Sequence, residues 1–185
     1  MNLQQLMQQL PAANTAHKYP VDQWNPTLCG TMDLRIHANG EWWHEGRPIT
    51  RRALIDLFAQ LLWVEQGQYY LKTPVEKIQI QVDDAPLQII AVEQQISDDG
   101  TTYLYCQTAH GDHLCLNEQH PIEMRTFQGE WRPYVHVRFG LWALVQRAVF
   151  YHLIDYGQLQ ETSQGGTILT LTSGNVQFHL STPEN

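Results

Sequence analysis

Two periods of apolar and polar residues run along this chain, and the switches between them divide it into elements. Leu3, Leu6, Met7 and Leu10 recur at helical spacing, and Pro11 closes the run, which predicts a short helix there. Residues 11–30 hold three prolines, two asparagines and one glycine, and predict an irregular connection. The stretch TMDLRIHANGEWWHEGRPI then carries Asn39-Gly40 between two strand-like runs, a hairpin signal because both residues tolerate positive φ. Thr50 is placed to cap a helix whose Ala53, Leu54, Leu57, Phe58, Leu61 and Leu62 form one apolar stripe, with Gly67 as its stop. QYYLKT, EKIQIQV and PLQIIAVEQQI predict three strands, and Asp98-Asp99-Gly100 a turn into a fourth, TTYLYCQT.

The second half repeats the scheme. PIEMRTF, a turn at Gln128-Gly129 and EWRPYVHVR predict a hairpin. A helix is expected from about Gly140 to Tyr156, ended by Gly157. Leu141, Trp142, Leu144, Val145, Val149, Phe150, Leu153 and Ile154 make it apolar almost all round, which predicts an interior helix. TILTLTS and NVQFHL, with Gly174-Asn175 near the turn, close the chain as a second hairpin.

The repetition extends to identities. DLRIHANGEW starts at Asp33 and EMRTFQGEW at Glu123, 90 residues apart before the turn and 89 after it; Ala53-Leu54 and Ala143-Leu144 are again 90 apart. We read an α+β fold of internally duplicated β-hairpin, helix and β-strand units. The expected division is an N-terminal helix and connection over 1–30, a first unit over 31–95 and a second over 96–185. The groove between such units is the default place for a ligand.

Charge narrows the function classes. The chain of 185 residues has a formal net charge of −8, which argues against a nucleic-acid polymer as partner, since such binding rests on Lys and Arg neutralising phosphates. No apolar run approaches the roughly 20 residues of a membrane helix, and the first residues lack a basic start and an apolar segment, so no membrane partner is expected and a cytoplasmic location is. Three cysteines in that compartment are expected as free thiols. There is no GxSxG, P-loop, GxGxxG or HExxH, and no cofactor is expected.

Four stretches carry candidate chemistry. CQTAHGDHLC brings Cys106, His110, His113 and Cys115 together. A two-residue turn at His110-Gly111 would set Thr108 opposite His113 and Cys106 opposite Cys115, with Cβ atoms of such pairs about 4.5–5.5 Å apart. One hairpin face rarely wraps a tetrahedral metal, so the thiols are expected as small buried residues, with no metal. In TPVEKIQIQV, alternation places Glu76 on the apolar side with Ile78, Ile80 and Val82, where a carboxylate needs a partner; an ion pair is expected. In YVHVR, Val135 and Val137 face the core, while Tyr134, His136 and Arg138 line the other face, able to stack on a ring and hold an anion. Arg147 falls inside the apolar second helix and calls for an acidic partner or a ligand anion. Asp33/Arg35 and Glu123/Arg125 are expected as ion pairs on their strands.

MDLRI, GEWWHEGRPITRRALIDLF, QYYLKTPVEKIQIQVDDAP, HPIEM and PYVHVRFGL together resemble the bacterial family called domain of unknown function 1285, from about Gly30 to Tyr156. The resemblance implies a two-part α+β fold with repeated motifs, a C-terminal part superficially pleckstrin-homology-like, a pocket between the parts for a nucleotide-like ligand, and a role in signal transduction. It implies no activity. By position in the matching motifs it adds Arg35, Arg51, Thr73, Glu76, Lys77, Tyr134, Arg138 and Arg147 as pocket candidates, beside His136 from the polar strand face. The expectation is a ligand-binding module for a small anionic or nucleotide-like ligand, read by a protein partner. An enzyme with Glu76 or His136 as general base, and a protein-interaction domain, are the alternatives.

Overall fold

The computed structural model describes residues 19–162 and 166–181; the helix expected at residues 3–10 lies outside them. Two compact units divide after Pro86, with Phe139–Leu141 grouping with the first.

The first unit is built on one sheet. Its strands are β1 (Leu28–Ile36), β2 (Trp42–His44), β3 (Arg47–Pro48), β4 (Leu62–Glu65), β5 (Gln68–Lys72) and β6 (Lys77–Val82). They lie in the order β3-β2-β1-β6-β5-β4, with β1 and β6 parallel and the other neighbours antiparallel. Period two sets the faces: Met32, Leu34 and Ile36 are buried while Thr31, Asp33 and Arg35 point outward. Helix α1 (Arg52–Leu61) covers the apolar face; Phe58 and Leu61 are buried, as are Trp42, Leu71 and Ile78 on the sheet, and the Trp42 and Phe58 rings lie 6.2 Å apart.

Helix α1 is shorter than its apolar stripe predicts. Arg51, not Thr50, is its N-cap, in an extended conformation and with no side-chain capping bond. It ends at Leu61, and Leu62–Glu65 leave it to pair with β5. Leu62-Trp63-Val64 suits a strand as well as a helix, and the β5 ladder decides between them. Gly67 therefore turns a hairpin instead of stopping a helix. Gln66 (φ 52°) and Gly67 (φ 77°) both take left-handed backbone, the requirement of a type I′ turn. At the Asn39-Gly40 turn only Gly40 does so (φ 86°), and His37 N–H and Glu41 C=O close a longer loop.

The second unit opens with β7 (Leu87–Ile96), β8 (Thr102–Thr108), β9 (His113–Cys115), β10 (Ile122–Phe127), β11 (Glu130–Arg138) and β12 (Leu141–Val145), in the order β10-β11-β12-β7-β8-β9. Helix α2 (Arg147–Tyr156) follows, then an antiparallel sheet of β13 (Gln158–Glu161), β14 (Thr167–Ser173) and β15 (Val176–Ser181). The single helix expected from Gly140 is thus a strand and a helix. Leu141, Ala143 and Val145 are buried in alternation, and β12 pairs in parallel with β7. Helix α2 buries only Val149 and Leu153 and exposes Arg147, Tyr151 and Asp155, so it is one-sided, not interior. Gly157 does close it, donating to the Ile154 carbonyl at 3.1 Å.

The element order repeats. β1-β2-β3-α1-β4-β5-β6 in one unit matches β10-β11-β12-α2-β13-β14-β15 in the other, which fits duplication. Strand pairing does not repeat, since β13-β14-β15 form a sheet of their own.

Candidate functional site

On its outward face the first unit holds an open cavity of about 710 Å³ where β1, β2 and β6 meet. Asp33 and Arg35 come from β1, His37 and Asn39 from its turn, Glu41 and Trp43 from the returning chain, and Gln81 and Asp83 from the end of β6. Strand alternation explains the gathering. Arg35 pairs with Trp43 on one side and Gln81 on the other, so all three side chains stand on the face away from α1.

Asp83 links two of the cavity's other charged and polar groups. Its Oδ1 accepts from Arg35 Nε at 2.7 Å, and its Oδ2 accepts from His37 Nδ1 at 3.0 Å. Partial burial pushes the Asp83 carboxyl up, but Arg35 and His37 more than offset this, so it titrates below its ordinary 3.8. With Nδ1 donating, the neutral form of His37 presents Nε2 as its acceptor nitrogen. Its ring stands edge-on to Trp43, with centroids 5.4 Å apart. Trp43 Nε1 donates to Glu41 at 3.2 Å, and hydrogen bonds from Asn39 and Trp43 hold the Glu41 carboxyl below its ordinary range. Three carboxylates, one guanidinium and an imidazole share the cavity, with an indole as its wall.

A group whose folded pKa is lowered adds stability above its ordinary value, and that stability is lost as pH falls through the lowered one. Asp83→Asn is therefore expected to flatten the acid limb below about pH 4, by at most about 1 kcal/mol for so open a pair. Urea midpoints from pH 2 to 7 check this; a limb as steep as the parent's would refute it.

The residues anticipated from the sequence scatter. Arg35 alone lies in the cavity. Arg51 is an exposed N-cap. Thr73 is buried and shapes the TPVE turn: its Oγ1 accepts from Glu76 N–H at 3.1 Å and donates to the Glu76 carbonyl at 3.2 Å. Glu76 is buried on the apolar side, as alternation required, but among the described residues Oε1 has no hydrogen-bond partner and Glu76 has no ion pair of the kind expected. Lys77 instead pairs with Glu65 and sits over the Tyr70 ring. Arg35 takes Asp83 in place of Asp33, whereas Arg125 does pair with Glu123.

The YVHVR face is not an open row. Tyr134 is 3% exposed and belongs to the core, so it offers no stacking surface. Pairing with β10 covers one side of β11 there, and Asp112 draws in Arg138, whose Nη1 donates to Asp112 Oδ1 at 2.6 Å. His136 Nδ1 donates to the Gln119 carbonyl at 2.8 Å. Arg147 is not inside its helix but at its exposed first position, donating to Tyr151 Oη at 3.3 Å.

CQTAHGDHLC is a hairpin with a register one residue away from the expected one. Cys106 faces Leu114, Gln107 faces His113, and Tyr105 faces Cys115. A one-residue slip reverses faces, so the two cysteines separate. Both are free thiols, and burial, with a smaller push from Cys115, takes the Cys106 thiol up to about 12. The loop is held by Asp112: its N–H donates to Thr108 Oγ1, and Thr108 Oγ1 donates to Asp112 Oδ2, both at 2.9 Å. Among the described residues no group of three metal-ligating side chains gathers.

Residues 19–85 match the family described as domain of unknown function (DUF1285), N-terminal domain, and residues 86–180 its C-terminal domain. The chain belongs to the DUF1285 family. A crystal structure of a DUF1285 family protein from Silicibacter pomeroyi DSS-3 is similar with a TM-score of 0.84 and 38% identity, over 98% of this chain and 95% of that one. A second, from Shewanella baltica OS155, has a TM-score of 0.51 and 28% identity, over 67% of this chain and 91% of that one. No curated protein matches.

The DUF1285 motifs and the cavity coincide in part. MDLRI supplies Asp33 and Arg35, GEWW supplies Glu41 and Trp43, and QVDDAP supplies Gln81 and Asp83. Sequence reasoning missed His37, Glu41, Trp43 and Asp83 as site residues. The available signal was the period-two match of Arg35, Trp43 and Gln81 once β1 and β6 are neighbours, a pairing 48 residues apart for Arg35 and Asp83.

Proposed function

We propose that this DUF1285 chain is a cytoplasmic ligand-binding module, and that the first unit's cavity receives a small ligand carrying both an anionic group and hydrogen-bond donors, as a nucleotide-like molecule does. The observation that carries the reading is the Arg35–Asp83–His37 cluster beside Trp43. Arg35 spends only Nε on Asp83, which leaves its two Nη groups for a carboxylate or phosphate. Asp33 and Glu41 favour donors, and the indole favours a ring. A purely anionic ligand fits less well, because three carboxylates outnumber the guanidinium. A location off the membrane is supported by the lack, among the described residues, of a helix long and apolar enough to cross one. The pleckstrin-homology likeness of the second unit and a signalling role belong to the same proposal. Two sheets with one helix support the first, and ligand occupancy read by a protein partner would supply the second.

The test is calorimetric titration of the full chain with mononucleotides and with inorganic phosphate. Binding of a nucleotide that weakens at least tenfold in Arg35→Gln and Asp83→Asn supports the proposal; binding unaffected by both, or none, overturns it. Retained pull-down of a protein partner in both variants would move the function to an interaction surface.

One observation favours an enzyme as the second reading. A general base needs an orienting partner, and His37 has one in Asp83, whereas His136 is tied to a backbone carbonyl and Glu76 is enclosed. Turnover on an ester or phosphoester panel, lost in His37→Gln, would establish it.

A further inference from the structure

The chain contains three lysines, Lys18, Lys72 and Lys77, and two of them stand directly opposite each other on β5 and β6. They are treated very differently. Lys77 is partly exposed and takes Glu65 as its partner. Lys72 is 5% exposed, between buried Leu71 and buried Thr73, so both faces of the sheet are covered at that point. Among the described residues its ammonium group makes no ion pair and no side-chain hydrogen bond; it rests 3.8 Å above the centre of the Trp63 ring. Buried ammonium groups ordinarily find an anion, because an uncompensated charge in an apolar site is costly. Here the nearest like charge is built in across the ladder. Desolvation, then Lys77, push the Lys72 pKa down; Glu65 on β4 and Asp22 in the short 3-10 turn (Val21–Gln23) act the other way without restoring it.

We propose that Lys72 is a nucleophilic amine that forms an imine with a small aldehyde or ketone. An amine held in apolar surroundings beside a second cation is the arrangement that keeps a lysine reactive near neutral pH. The neutral Nζ adds its lone pair to the carbonyl carbon, and the carbonyl π pair goes to oxygen, which takes up the proton the nitrogen gives. The carbinolamine then loses water to leave the C=N bond, so no oxidant or reductant is needed. This site is separate from the cavity at Asp83 and stands or falls independently of it.

The experiment is reductive trapping. The folded full chain is incubated at pH 7 with acetaldehyde and sodium cyanoborohydride, and adducts at the three lysines are timed by peptide mass spectrometry. Lys72 is expected to be alkylated at least tenfold faster than Lys77. In Lys77→Gln, whose fold is checked by circular dichroism, Lys72 regains affinity for its proton, and its rate is expected to fall several-fold at pH 7 and much less at pH 10. Equal or slower labelling of Lys72 than of Lys77 would overturn the proposal. So would labelling of Lys72 only in urea, which would make it a structural amine packed on an indole.

Discussion

Asp112→Ala is expected to destabilise the second unit by about 3–4 kcal/mol. Breaking a buried ion pair costs about that much, because the surviving charge keeps most of its burial and loses the opposite charge. Asp112 has a side chain 3% exposed and Arg138 one 15% exposed, so neither can turn to water without the fold opening. The aspartate also holds Thr108 Oγ1 and, through it, the turn of CQTAHGDHLC. In a chain of this length the loss corresponds to a fall of roughly 6–16 °C in the thermal midpoint. A double variant, Asp112→Leu with Arg138→Met, is expected to recover most of it, since an apolar pair of similar volume replaces the charges without leaving one stranded. Scanning calorimetry of the two single variants and the double one checks the argument. A loss under 1 kcal/mol for Asp112→Ala would mean that the pair is solvated in practice and that the hairpin does not depend on it.

Phe58→Ala is expected to cost about 4 kcal/mol in the first unit. Phe58 is fully buried, and its ring packs 6.2 Å from that of Trp42, which is 2% exposed. Truncation removes the transfer energy of the ring and leaves a cavity that a β-sheet on one side and a helix on the other cannot close. Phe58→Leu keeps most of the volume and should cost clearly less. Arg52→Ala, on the exposed side of the same helix, should stay within about 0.5 kcal/mol of the parent despite its pair with Asp56, whose members are well solvated. Urea titration of the three variants gives the comparison. Similar losses at Phe58 and Arg52 would show that α1 does not dock where the sheet's apolar face requires it.

Both predictions rest on features of unequal legibility. The burial of Phe58 follows from its place in the stripe Leu54, Leu57, Phe58, Leu61, and the structure agrees. The partner of Asp112, which lies in the loop before β9, is not legible locally, because Arg138 is 26 residues away at the end of β11. The same difference separates the hits from the misses in the candidate site. Alternation puts Arg35 on one strand face with Asp33, and the family resemblance makes it a pocket candidate, but its pairing with Asp83 depends on β6 lying parallel beside β1. Tyr134 read as outward by the same alternation and is nevertheless buried, because β11 is covered on both sides where it sits. Alternation tells which residues share a face and says nothing of how many faces are covered.

Sequence by itself determined the strands and turns whose signals are local: the hairpins at Asn39-Gly40, Gln128-Gly129 and Gly174-Asn175, the burial of Glu76, the α+β class, a repeated hairpin-and-helix scheme and the family. These depend on residues within a few positions of each other, where backbone preference and side-chain period act directly. Tertiary structure alone decided whether Leu62–Glu65 and Leu141–Val145 are helix or strand, the one-residue register that separates Cys106 from Cys115, and the gathering of Arg35, His37 and Asp83. In each of those cases local preferences are nearly balanced, and pairing with another strand exceeds the difference: the next strand for Leu62–Glu65 and for the cysteines, and one distant in sequence for Leu141–Val145 and for the Arg35 cluster.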